Sequence, residues 1–280
     1  MPTIAVPTSY YQQFDVDFSR DVPAEGFGGW KRASLPLSTE HTAIVSMHAW
    51  DCGTREQYPG WHRVEDYIPR ADAIIANELA RLLAATRASA FPLIHVAALA
   101  YADRYPGYRR AFALAGPEPE PPAAVAGDPV LDQLRAFRDD HVFVGRHNAE
   151  DVRRGWEAVD FAPAARPVGD EWVVATTHQL HALCRQLGVN HLIYAGFAIN
   201  WCLLMSPGGM HDMAARGVMC SAVRQAVTAV ENRETARTEA NKEEGLWRTS
   251  VAFGFVYDLE DLLAALRAAP RQTEPPCRGA

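Results

Sequence analysis

A series of short apolar runs, each followed by a polar loop and most by a helical pattern, limits the folds open to this chain more than any other feature. "TAIVSMHAWD" carries the run Ala43 to Met47, and "FPLIHVAALA", "EWVVAT", "HLIYAGF" and "VMCSAV" repeat that texture further along. Runs of this kind suit strands buried on both faces, where the alternation of a half-exposed strand is lost. Between them, "RADAIIANELARLLAATRASA" places Ile74, Ile75, Leu79, Leu82 and Leu83 on one helical face, and "HQLHALCRQLG" and "HDMAARG" fit further helices. Parallel strands need such crossovers, and these are right-handed. The predicted fold class is α/β: a three-layer α/β/α sandwich with a central, mostly parallel, Rossmann-like sheet. "ARTEANKEEGLWRTSVAFG" predicts a later helix, "FVYD" an edge strand and "LEDLLAALRAA" a closing helix.

The alternation occupies residues 42–267 and is interrupted by one long excursion. "GPEPEPPAAVAGDP" is proline-rich and acidic, which suits an exposed loop, and it opens an insertion over about residues 116–167. Residues 1–41, rich in Pro, Gly and aromatics without periodicity, read as an extended N-terminal arm lying over the body. Residues 268–280 read as a C-terminal tail. With 280 residues, 48% of them hydrophobic, the chain can bury a core of this size.

The formal charge of -7 and the absence of a dense Lys/Arg run argue against a nucleic-acid or anionic-membrane surface, since both need a concentrated positive field. Small molecules are the expected partners. No stretch approaches the roughly 20 apolar residues of a spanning helix, and "MPTIAVPTSYYQQFDVD" has no basic segment leading into an apolar one, so a cytoplasmic location is expected. The five cysteines are scattered with no C-x-x-C pair, which argues against a disulfide framework or zinc ribbon. No cofactor or metal is expected.

Ligands of an open parallel sheet bind at the carboxyl ends of its strands. In "IYAGFAINWCLL", Cys202 falls there, just past a strand and at a predicted helix start, where peptide dipoles favour a thiolate. A buried thiol with no chemistry is the alternative, because small buried cysteines are common.

"GVNHLIYAGFAINWCLL", followed by "AARGVMCSAVRQAVTAVE", resembles the nucleophile region of the isochorismatase-like cysteine hydrolases. "TAIVSMHAWD", "IPRADAIIANELARLLAATRASAFPLIHV" and "LWRTSVAFGFVYDLEDLLAAL" extend the resemblance over most of residues 42–267. It implies the isochorismatase-like fold, a homo-oligomer, and hydrolysis of amides, carbamoyl groups and related C–N bonds through a thioester on Cys202. It also implies a cis peptide before the cysteine and an oxyanion hole at Phe197, Ala198 and Cys202. The chain departs from the family pattern at two catalytic positions. His48 stands where the family has an aspartate at the end of the first strand. The family's lysine after the third strand falls in "WVVATTHQLHALC", where Thr176 and Thr177 offer hydroxyls but no charge; Lys31 and Lys242 are the only lysines and lie elsewhere. "LLMSPGGMHD" further predicts that Pro207, Gly208 and Gly209 break the helix after the cysteine.

The preferred catalytic pair is Cys202 with His48 as base, an arrangement in which imidazolium stabilises thiolate. Asp51 is the alternative, either orienting His48 or acting as the carboxylate itself. Trp50, Tyr58 and Trp61 either wall a pocket for an apolar or aromatic substrate or pin the N-terminal arm. His95, inside an apolar strand, reads as a satisfied core histidine, and the arginines of "RYPGYRR" as surface groups. Cys52, Asp51 and His62 lack the spacing of a metal site. Two other functions remain open: a catalytically silent member that binds a small molecule or partner, and an isochorismatase-type vinyl ether hydrolase, which needs an acid where His48 stands.

Overall fold

The computed structural model describes residues 2–270. Its strands are β1 (Thr3–Gln12), β2 (Gly29–Ser38), β3 (Thr42–Met47), β4 (Trp50–Asp51), β5 (Leu93–Val96), β6 (Asp160–Phe161), β7 (Trp172–Val174), β8 (His191–Phe197), β9 (Met219–Thr228) and β10 (Val256–Tyr257). Eight of them form one sheet in the order β2-β1-β10-β9-β8-β3-β5-β7, and β4 pairs with β6 in a separate ribbon. From β10 to β7 every pairing is parallel. All residues of β3 and β5 are buried, as their unbroken apolar runs predict.

Alternate strand residues feed two cores, one on each face of the sheet. Ile44, Ile193 and Phe197 pack with Leu79, Leu82 and Leu262 on one side; Val45, Leu192 and Tyr194 pack with Leu180, Leu183 and Leu246 on the other. This is the α/β/α sandwich expected from the sequence. Residues 68–88 form one helical stretch with a π-helical turn at Ile75–Leu79. The helix Thr177–Leu187 is capped by the Thr176 hydroxyl and ends at Gly188, whose φ of 68° favours glycine. Among the described residues no helix is long and apolar enough to cross a membrane.

The N-terminal arm differs from its reading. It is a hairpin in which β1 and β2 pair from Thr3↔Ser38 to Gln12↔Gly29, and Thr8↔Tyr257 and Ser9↔Val256 join it antiparallel to β10. "FVYD" is consequently an interior strand between β9 and β1 and not an edge. Pro7 and Pro36 lie within the hairpin strands; because proline lacks a backbone donor, it is confined to positions like these near a sheet edge, and it disguises them as loop.

In the insertion, residues 117–128 are exposed and irregular, after which the chain forms the helices Pro129–His141 and Ala149–Ala158 and the strand β6. Asp128 caps the first helix by accepting from the N–H groups of Val130 and Leu131. The closing helix runs Leu259–Ala268; residues 271–280 of the predicted tail lie outside the described residues.

Candidate active site

β3 and β8 are parallel neighbours in the register Met47↔Gly196, so their carboxyl ends open side by side. Gly196 permits this approach. Its φ is 127°, and a Cβ there would meet the Met47 carbonyl oxygen at 1.9 Å. Beyond β8, the Phe197–Ala198 peptide is cis, at the turn where the resemblance implies one. Cys202 then opens a helix of four residues, Cys202–Met205, before Ser206, Pro207 and two glycines. The helix is too short to lend the thiol much of a dipole.

A cavity of about 390 Å³ lies over these strand ends. The strands and the turns after them supply His48, Trp50, Ala97, Ala175, Ala198 and Cys202. Further lining comes from Glu65 and Tyr67, in the turn after the helix Pro59–Val64, and from Phe143 and Trp156 of the insertion. Trp50 and Trp156 meet edge to face, with ring centroids 4.7 Å apart. Among the described residues no arginine or lysine lines the cavity.

Cys202 is half-buried. Burial raises its thiol pKa, while the Ser206 side chain and the backbone N–H groups of Ala198 and of Cys202 itself oppose that rise. Both N–H groups lie beside the sulfur. His48 ends β3 in the left-handed region, with φ of 53°. Its N–H donates to Val96 O at 3.0 Å, and its ring stacks on Trp50 at 4.7 Å. Burial pushes the imidazole pKa down to about 4, and Nδ1 has no partner among the described residues. A histidine held neutral in this way works against the thiolate–imidazolium pair preferred from the sequence.

The other sequence candidates divide plainly. Cys202, His48, Trp50 and Ala198 come together at the cavity. Phe197 does not line it; its ring stacks on Tyr67, with centroids 6.5 Å apart, and belongs to the core. Asp51 is exposed outside the cavity and accepts from the Gly53 N–H at 2.9 Å. Thr176 bonds Glu118 and caps its helix. Thr177 donates to Asp212 and accepts from Gly208, so both hydroxyls are committed away from the cavity. Trp61 is buried against Trp156, and His95 bonds Glu171 in the core at 3.0 Å. His62 bonds the Gly53 carbonyl, and among the described residues no group of three His, Cys, Asp or Glu side chains could hold a metal.

Glu65 is the ionisable group that sequence reading passes over. Its carboxyl is pushed up to about 7 by burial, with a smaller push from the charge of Asp66. In the sequence it is one of two adjacent acids in "HRVEDYIPR", a pattern that reads as solvated surface. Only Tyr67 two residues later, an aromatic among charges, hints that this turn faces inward.

This architecture is the isochorismatase-like α/β fold. A cysteine hydrolase from Pseudomonas syringae pv. phaseolicola 1448A superposes with a TM-score of 0.53 at 16% identity, over 84% of this chain and 96% of that one. An isochorismatase-like hydrolase from Alkaliphilus metalliredigens gives 0.46 at 16% identity, over 82% and 98%. The nicotinamidase pyrazinamidase from Acinetobacter baumanii gives 0.41 at 13%, over 80% and 98%. No protein-family model and no curated protein sequence matches the chain.

Proposed function

We propose that this protein is a cysteine hydrolase that cleaves a C–N bond, in an amide, carbamoyl or related group, of a small apolar molecule through a thioester on Cys202. One observation carries the reading: the Cys202 thiol borders an apolar cavity at the carboxyl end of β8, with the N–H groups of Ala198 and Cys202 turned toward it. Attack by sulfur on a carbonyl carbon moves charge to the oxygen, where those donors stabilise it. Loss of the amine leaves a thioester, and water releases the acid.

The lining favours an uncharged substrate with an aromatic or aliphatic body. Trp50, Trp156, Trp201 and Phe143 offer flat apolar surface, and among the described residues no arginine or lysine is there to hold an anion. A homo-oligomer fits the helix Pro129–His141, which buries no residue and exposes Val130, Leu134 and Phe137. A cytoplasmic location fits the free thiols of Cys52, Cys184, Cys202 and Cys220.

The test is a panel of neutral amides and carbamates assayed with the native enzyme and with Cys202→Ala, together with intact-mass detection of an acyl adduct. Abolished turnover and loss of the adduct in the variant are expected; undiminished turnover overturns covalent catalysis. The raised thiol pKa favours one competing reading, a silent member that binds such a molecule without cleaving it. Binding of panel members by the native protein with no turnover would establish that reading instead.

A further inference from the structure

We infer that Glu65, a residue outside the strand-end set, is the acid–base group of this site and exchanges the reacting proton with Cys202. The inference rests on the cysteine-hydrolase reading above and supplies the group that reading lacks. Glu65 and Cys202 line the same cavity, and they lie near enough for the Glu65 charge to act on the thiol, adding to the rise in its pKa that burial causes.

The Glu65 turn is pinned by its backbone. Its N–H donates to Trp61 O at 3.0 Å, and its carbonyl accepts from Ile68 N at 3.4 Å. No side-chain donor among the described residues reaches its carboxyl oxygens, and no described arginine or lysine lines the cavity to hold its charge. Asp66 is its neighbour on the turn; Tyr67, His48 and Cys202 share the cavity, and the Cys52 thiol lies close enough to feel its charge. None of these neighbours is a cation at neutral pH, since His48 is held neutral. The carboxyl is therefore divided between its two forms near pH 7, the condition that suits a group required to take a proton and return it.

The alternative acceptor fares worse. A thiol whose pKa is raised gives up its proton less unfavourably to a carboxylate of about 7 than to an imidazole of about 4. As the S–C bond forms, the Glu65 carboxylate takes the thiol proton and the carbonyl oxygen becomes an oxyanion. When the oxyanion collapses, the C–N bond breaks and the Glu65 carboxylic acid protonates the departing nitrogen. Water then adds to the thioester while Glu65 takes its proton; the C–S bond breaks, and Glu65 returns that proton to sulfur. Amide and water become acid and amine, with the protein unchanged.

Site-resolved alkylation of Cys202 by iodoacetamide across pH, read by mass spectrometry, tests this without a known substrate. In the native protein the rate gains a limb with a midpoint near pH 7, because ionised Glu65 can take the thiol proton. Glu65→Gln loses that limb, so that reactivity follows only the thiol's own, higher titration, and Glu65→Asp recovers part of it. A merely structural or repulsive carboxylate predicts the opposite sign, because removing its negative charge makes the thiol more reactive at neutral pH. That result, or a limb surviving in Glu65→Gln and vanishing in His48→Asn, overturns the assignment and leaves Cys202 as nucleophile. A native Cys202 with no neutral limb overturns the assignment as well, while the hydrolase reading stands or falls separately on the Cys202→Ala turnover and acyl-adduct assay.

Discussion

The wall of the cavity built from strand ends and the wall built from the Glu65 turn and the insertion are held in place by different means. On the first wall, backbone register fixes His48, Ala198 and Cys202: β3 and β8 are paired along their length, and Gly196 lets them close to contact. On the second, local backbone hydrogen bonds hold the turn carrying Glu65 and Tyr67, while Trp156 is brought in by side-chain packing between segments distant in sequence, such as Trp61 against Trp156 at 5.7 Å. The first wall tolerates little change in shape. The second carries a carboxyl that burial pushes up to about 7, together with the aromatic surface of Phe143 and Trp156.

The sharpest way to break this contrast is Gly196→Ala. The added methyl meets the Met47 carbonyl and the backbone must also hold a positive φ, so a loss of about 4 kcal/mol is expected, read from the urea midpoint. A near-native midpoint would mean that the strand ends yield more easily than their register implies.

On the second wall, Glu65→Gln should change how stability depends on pH. Native Glu65 holds its proton more tightly than the unfolded chain does, so the folded state loses stability as pH rises from about 4.5 toward about 7. The Gln variant lacks this loss. Its stability relative to native should grow by about 2 kcal/mol across that window, measured by urea titrations at each pH. His48 acts with the opposite sign: its depressed pKa withdraws stability as pH falls from about 6.5 toward about 4, in both proteins, and so cancels in the difference. A difference that stays constant with pH would place the carboxyl in solvent.

The smallest effect belongs to Trp156→Ala. Removing one aromatic surface from the substrate's body should raise KM roughly tenfold, about 1.4 kcal/mol, with a lesser change in kcat. Equal losses in kcat and kcat/KM would instead assign Trp156 to the transition state.

The same division governs what the sequence makes legible. β3, β5 and β8 announce themselves because burial on both faces demands consecutive apolar residues, and Cys202 follows from its place after β8. The hairpin is hidden. Its burial alternates, with Val6 and Thr8 inward, but the prolines at 7 and 36 interrupt the pattern that would reveal it. His48 is legible as a position and not as a chemical state, since its neutrality is imposed by burial and by residues such as Trp50 stacked on it. Glu65 is illegible for a related reason: its turn has the composition of a surface, and Phe143 and Val230, which line the same cavity, come from far along the chain. Thr176 and Thr177 show the converse. Their location in sequence suggested the emptied lysine region, yet local capping and the Asp212 contact claim both hydroxyls.

Phe143 and Trp156 reach the cavity from a segment whose irregular stretch, residues 117–128, is wholly exposed, while Cys202 opens the short helix just after β8. On the proposed function, the bond cut and the molecule selected would then rest on separate pieces of chain. Exchanging the insertion alone would re-aim such an enzyme toward a new molecule while keeping its reaction.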